Sequence, residues 1–343
     1  MKLKLWGHTV ASVLTDPSFE PSQRDLDAVE MWAGCTAVAR AVAAKGEVAE
    51  TVEIIDDADQ QDLTTLGGFH YAVKLVMRVK LGGLLGMAPV CSSWVFANMS
   101  NTKRTKENPC GDRSYPQVVS GNLQAKVATF CLLLAHARGL YAFMENPASS
   151  MIFRYSPVEL AMIYLTRIAN GHIVISHACR FSEQPVGKRA KKPFKLFAIG
   201  SKPGWLSPLR KLCQCGDAGH SLLMVQKTPG KSTGCNAAMK DSQHYSGNFG
   251  SAIVQAWHNA RLELQLSHSC MPSAEVALKV LPSAKAASRA APKAKLKATA
   301  KPKATAKLTA KAASKKRPLE EDPASWKRRD GFQEDPASWK NRE

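Results

Sequence analysis

Leu84-Leu85-Gly86-Met87-Ala88-Pro89-Val90-Cys91-Ser92-Ser93-Trp94 is the stretch on which the fold reading turns. A short apolar run after Gly82-Gly83 predicts a buried strand. Pro89 ends it, because proline cannot donate to a central ladder. A cysteine, two serines and a tryptophan follow where the chain leaves the strand. In open α/β sheets, ligands gather beyond the carboxyl ends of the strands. A lone cysteine there reads equally as a small buried residue. A second predicted strand end, Leu140-Tyr141-Ala142-Phe143-Met144-Glu145-Asn146-Pro147, sets a carboxylate and an amide at the same topological position.

Working outward from these two ends, Ala28-Val29-Glu30-Met31-Trp32 reads as a first strand. Ala33-Gly34-Cys35-Thr36 reads as a tight turn, with Thr36 capping a helix over 37–45 that stops at Gly46. Strand, glycine turn and helix form the opening of a nucleotide-binding βα unit, although Gly34 also suits close helix–strand packing. Thr51 to Ile55 reads as the second strand. Glu53 stands at its end with the spacing of a ribose-binding acid, whereas Asp57 and Asp59 read as a solvated loop. Asp62 precedes a helix running to about Lys80. Asn98 to Ser114 is a long polar loop holding Lys103, Arg104, Lys106 and Arg113 and is expected to contact phosphate or to be disordered. A helix is expected from Asn122 to Arg138 and another from Pro157 to Ile168. Strands are expected from His172 to His177 and from Phe194 to Ile199, and Ser246-Gly247-Asn248 opens a final helix. The alternation predicts an α/β domain with a largely parallel sheet and helices on both faces.

The chain has 343 residues, 45% of them hydrophobic and 22% charged, enough for one full core. Its formal charge of +19 is uneven: residues 283–317 hold 12 Lys or Arg and no acid, leaving 19 − 12 = +7 for the rest. That balance points to a polyanionic partner. The organisation read from these shifts is an N-terminal arm at 1–25, a domain at 26–268, a disordered Lys/Ala/Pro-rich tail at 269–318 and an acidic tandem repeat at 319–343. Ser314-Lys315-Lys316-Arg317-Pro318 has the form of a nuclear import signal. The repeat places Trp326 and Trp339 in identical Glu-Asp-Pro-Ala-Ser-Trp-Lys contexts, which suits a peptide-binding partner or an inert duplication. Nine cysteines, no secretory leader and no uncharged run of membrane-span length predict a reduced intracellular compartment and no membrane partner. His177, Cys179, Cys213, Cys215 and His220 invite a zinc reading. The Cys-x-Cys spacing is tighter than usual and lacks a second tight pair, so no metal is expected.

With these pieces placed, the chain resembles the cytosine-5 methyltransferase group of S-adenosylmethionine-dependent enzymes over roughly residues 26–260. It is most similar to a microbial-eukaryote branch whose loop reads P-x-C-S-S-W followed by N-P-x-G-D, matched here by Pro89 to Trp94 and Asn108 to Asp112. The resemblance implies a Rossmann-like class I methyltransferase sheet. It implies Cys91 as nucleophile, Glu145 as the acid at cytosine N3 and Asn146 beside it. It implies cofactor contacts from Glu30, Gly34, Glu53, Asp62, Pro89 and Asn248. Lys103, Arg104, Lys106, Lys188 and Arg189 are the expected nucleic-acid contacts, with DNA favoured over RNA and a nuclear location. Val90 replaces the family's second proline, Pro147 replaces the valine after Glu-Asn, and the family's Q-x-R-x-R motif has no counterpart. The alternative to a cytosine methyltransferase is a catalytically silent methyltransferase-like protein that binds chromatin; a third is a methyltransferase for RNA or another substrate.

Overall fold

In the computed structural model, which describes residues 3–184, 189–215, 220–221, 225–228, 231–235 and 245–269, every residue from Tyr141 to Pro147 is buried. Tyr141 and Phe143 enter one hydrophobic core, Ala142 and Met144 another. Successive side chains of a strand point to opposite faces, so this strand is the middle layer of three.

The elements follow in order as α1 (Val10–Thr15), β1 (Leu26–Met31), α2 (Ala37–Ala43), β2 (Ala49–Val52), α3 (Ala58–Gln61), α4 (Leu66–Arg78), β3 (Val79–Met87), α5 (Met99–Thr102), α6 (Pro116–Ala137), β4 (Tyr141–Pro147), α7 (Ser156–Ile168), β5 (His172–His177), β6 (Arg189–Ala190), β7 (Pro193–Ile199), β8 (His220–Ser221), β9 (Val225–Thr228), β10 (Lys231–Cys235) and α8 (Gly247–Ser269). The six-stranded sheet has the order β2-β1-β3-β4-β7-β5. β2, β1, β3 and β4 run parallel. β7 runs against both its neighbours, so β5 points the same way as β4. The C-terminal ends of β1, β2, β3, β4 and β5 therefore share one edge.

One face of the sheet is covered by Phe69 and Val73 of α4, Phe130 of α6 and Val158 and Leu165 of α7, with Leu5, Val13 and Phe19 of the N-terminal arm built into the same core. The other is covered by Val38 and Val42 of α2 and by Phe249, Ile253 and Trp257 of α8. α8 lies so close on α2 that a Cβ at Gly250 would fall 2.1 Å from the Ala37 carbonyl oxygen. α6 is long and apolar enough to cross a membrane by length and composition. It is the core helix of one layer, packed on β4, α4, α7 and α1.

Several boundaries differ from the sequence reading for identifiable reasons. The strand expected over 51–55 ends at Val52, because its partner β1 ends opposite at Met31; Ile54 and Ile55 are left exposed. The helix expected from Asn122 begins at Pro116, a residue suited to a first helical turn. Thr36 does not cap α2. It adopts a left-handed conformation without a side-chain hydrogen bond. Glu30, reaching from β1, accepts from the Ala39 amide at 2.8 Å and satisfies one of the orphan donors of that helix end. The expected disorder of 269–318, the import signal and the tandem repeat lie, apart from Ser269, outside the described residues, as does Lys188.

The largest departure is the loop at 98–114. Arg104, expected at the surface facing phosphate, is 0% exposed. Its Nε donates to the Ser93 carbonyl (2.7 Å), Nη1 to the Pro109 carbonyl and Asn122 Oδ1 (2.9 Å), and Nη2 to Ser93 Oγ and the Val118 carbonyl. All five guanidinium donors are used. The guanidinium also stacks on Trp94, 3.4 Å from the ring centroid. Burial lowers its pKa to about 10, which still leaves it charged at neutral pH. The loop is thereby tied to α6, with Asn122 Nδ2 adding a bond to the Cys110 carbonyl at 3.0 Å.

Removing this group strands buried carbonyls around a cavity. Arg104→Ala is expected to cost about 3–5 kcal/mol in urea unfolding, while Lys103→Ala, on an exposed side chain of the same loop, stays within about 0.5 kcal/mol. A loss below about 1 kcal/mol for Arg104→Ala would show that the network is not a structural tie.

Candidate active site

β3 and β4 are adjacent and parallel, with Met87 paired to Met144, so both deliver their next residues to one place. Beyond Met87, the Ala88 amide donates to the Met31 carbonyl at 3.2 Å, joining the end of β3 to the end of β1. Asn146 Nδ2 donates to the Pro89 carbonyl at 2.7 Å. That bond crosses from β4 to the loop and fixes the backbone two residues before Cys91. Asn146 is thus a positioning residue through its Nδ2, while its buried Oδ1 has no partner among the described residues. The loop then closes on itself through the Trp94 amide and the Cys91 carbonyl at 2.9 Å. The Val90 amide binds Gln124 Oε1 of α6 at 3.1 Å.

Glu145 is 3% exposed. Its Oε2 accepts a short hydrogen bond from the Tyr245 hydroxyl, while Oε1 is buried and has no partner among the described residues. Burial raises its pKa to about 7, against smaller downward pulls from the Tyr245 bond and the Lys192 ammonium. Glu145 therefore holds its proton to higher pH than an ordinary carboxyl, and when protonated it can donate as well as accept. Cys91 is partly buried. Burial pushes its thiol above the ordinary value and the Glu145 carboxylate adds to that, while Lys192 opposes both. The lowered pKa required of a resting nucleophile is not found; in this state Cys91 keeps its proton. Tyr245 is held far above the ordinary phenol value by burial and by Glu145, with Cys91 and Glu30 contributing, so three ionisable groups act on one phenol.

The turn after β1 forms the second half of the site. Trp32, Gly34 and Thr36 all have positive φ, which bends the chain sharply. Apart from its chain neighbours, no atom of the described residues lies within 4 Å of a Cβ built on Gly34, so close helix–strand packing is not what selects this glycine. Its amide donates to Glu53 Oε2 at 2.9 Å. The Glu53 amide is held in turn by Gln61 Oε1 at 2.7 Å. Asp62, next in the chain, is used locally, accepting from the amide and hydroxyl of Thr64 ahead of α4. Glu30 turns inward to α2 rather than toward the turn; burial raises its pKa to about 7. Asn248 is exposed in the first turn of α8, close by, since Cys35 Sγ donates to the Tyr245 carbonyl at 3.2 Å.

Of the expected phosphate contacts, Lys103 and Lys106 are exposed, whereas Arg189 donates to the Gln184 carbonyl at 2.7 Å. Asp57 is more than part of a solvated loop: it caps α3 through the Asp59 and Gln60 amides. Tyr245 was not legible as a site residue, because no motif marks it. Lys192 stood in a basic run that gave no sign which of its members turns inward.

The titration of Glu145 and Glu30 carries a consequence for stability. Both pKa values rise from 4.5 unfolded to about 7 folded, so the native state holds protons that the unfolded chain releases. The resulting stabilisation is fully present below pH 4.5 and is lost as pH rises through 7. Urea midpoints for wild type are expected to fall across this window, with Glu145→Gln showing a shallower slope. Identical slopes for the two proteins would show that Glu145 titrates normally.

No family model matches this chain, and no curated protein matches it significantly in sequence.

Proposed function

We propose that this chain is an S-adenosylmethionine-dependent methyltransferase acting on cytosine in nucleic acid, DNA in the first instance, with Cys91 as nucleophile and Glu145 as acid. The observation that carries the reading is a thiol and a buried carboxyl of pKa about 7, delivered by adjacent parallel strands to one edge of the sheet. The strand order, with the antiparallel β7 inserted before the last strand, supports a class I methyltransferase reading of the α/β sheet.

The cofactor fits the open turn at Gly34, where no neighbour crowds the backbone and Glu53 keeps one carboxylate oxygen for a ribose diol. When bound, it supplies an electrophilic methyl group. Cys91, its thiol proton lost to solvent, would add to C6 of the base while Glu145 donates a proton to N3, making C5 nucleophilic; once C5 carries the methyl group, loss of the C5 proton would break the C6–S bond and release the thiolate. The two groups are linked. Protonating Glu145 readies it to donate and also removes the negative charge that disfavours the Cys91 thiolate, leaving burial alone to be offset by the Lys192 charge. A base in a duplex would have to leave the stack to reach this edge. The exposed Lys103 and Lys106 and the basic run at 283–317 would hold phosphate.

The test is covalent trapping. A 5-fluorocytosine oligonucleotide with cofactor is expected to give one adduct mapping to Cys91, absent without cofactor and absent in Cys91→Ser. Calorimetry on the same proteins is expected to show cofactor binding that survives Cys91→Ser. Failure of both trapping and cofactor binding at millimolar concentration overturns the proposal. Cofactor and DNA binding without trapping would favour the silent, chromatin-binding reading, to which the raised Cys91 pKa already lends weight.

A further inference from the structure

A second cluster lies at the same edge of the sheet, beyond the end of β5. Cys179 sits in the single helical turn Ala178–Arg180 that directly follows β5. Cys213 and Cys215 lie just beyond another such turn, Ser207–Leu209, and His220 opens β8, which pairs with β6. The three sulfurs and one ring nitrogen all lie within 4.8 Å of one another. A tetrahedral zinc with Zn–S of about 2.3 Å and Zn–N of about 2.0 Å requires separations of roughly 3.5–3.8 Å, so closure needs only small side-chain adjustments. We propose that Cys179, Cys213, Cys215 and His220 bind one structural Zn2+.

The sequence expectation of no metal rested on the tight Cys-x-Cys spacing and the lack of a second pair. The fold supplies the missing ligands singly, from two other segments. His220 presents Nε2 to the cluster, 3.2 Å from Cys213 Sγ. The Cys215 amide points at Cys213 Sγ from 3.4 Å, the kind of donor that disperses thiolate charge. His177 is not a ligand: its Nδ1 accepts from the Cys213 amide at 2.6 Å and so sets the loop backbone. Three thiolates and a neutral imidazole would leave a site of charge −1, with the Lys191 ammonium nearby. Four protein ligands leave no open position, which makes the site structural rather than catalytic.

The cluster is wired to the candidate active site through the backbone. The Ala178 amide donates to the Lys192 carbonyl at 2.9 Å, and the His177 amide to the Lys211 carbonyl at 3.1 Å. Zinc would thereby hold the approach to β7 that carries Lys192 toward Cys91 and Glu145. This does not depend on what reaction those residues perform.

The test uses the full chain purified under reducing conditions without chelator. Elemental analysis is expected to find one equivalent of zinc per chain. Cys179→Ser and Cys215→Ser should each lose it, while Cys110→Ser, an exposed cysteine outside the cluster, should keep it. To keep the test independent of how the ligand variants fold, wild-type protein stripped of metal is also titrated with Co2+. The d–d bands of tetrahedral cobalt with thiolate charge transfer are expected. Three results would each overturn the proposal: wild type without zinc after reconstitution, zinc retained in both ligand variants, or a disulfide within the cluster in freshly isolated protein.

Discussion

The Arg104 guanidinium is a buried charge whose mapped partners are neutral oxygens. Taking such a group out of water costs several kcal/mol unless every donor finds an acceptor. Here the five donors span the backbone before Trp94, the carbonyls of Pro109 and Val118, and the amide of Asn122. Because the acceptors come from both arms of the loop and from α6, the geometry is satisfied only when all three are in place. The Cys91 turn inherits its position from this constraint. One end of the turn is pinned by Asn146 through the Pro89 carbonyl, and the other by Arg104 through Ser93.

Around that fixed turn the electrostatics are set by burial. Glu145 lies at the end of a strand covered on both faces, and desolvation is the largest influence on its titration. The same burial keeps Cys91 protonated at rest. The Glu145 carboxylate disfavours ionisation of Cys91, while the Lys192 charge favours the ionised form of both, so the protonation states of Glu145 and Cys91 are linked. Tyr245 joins them from a segment 100 residues away and commits one carboxylate oxygen, which leaves the other free to face a ligand.

The sheet edge thus gathers three kinds of chemistry from separate segments: an open glycine turn with an acid, a thiol with a protonatable carboxyl, and a thiol-imidazole cluster. Parallel βα units explain the first two, since each strand ends at the same side. The third follows from β5, which runs with β4 because β7 turns back between them.

Much of this was determined by the sequence itself. The apolar runs, their turn residues and the alternation of periods specify the strands and helices, because hydrophobic period and turn chemistry are properties of consecutive residues. They placed Cys91 and Glu145 at strand ends and Gly34 at a sharp turn. What consecutive residues cannot encode is which side chain faces inward once distant segments meet. Lys103, Arg104 and Lys106 are equivalent as letters in a polar loop, yet only Arg104 finds a pocket of carbonyls built by α6 and the Cys91 loop. Thr36 has the chemistry of a cap, but the left-handed turn leaves Glu30 of a neighbouring strand to do it. Cys179, Cys213, Cys215 and His220 look scattered along the chain and converge only after β5, β7 and the following loop fold together. Those choices belong to the tertiary structure, because desolvation and coordination depend on distances through space, and spacing along the chain does not fix them.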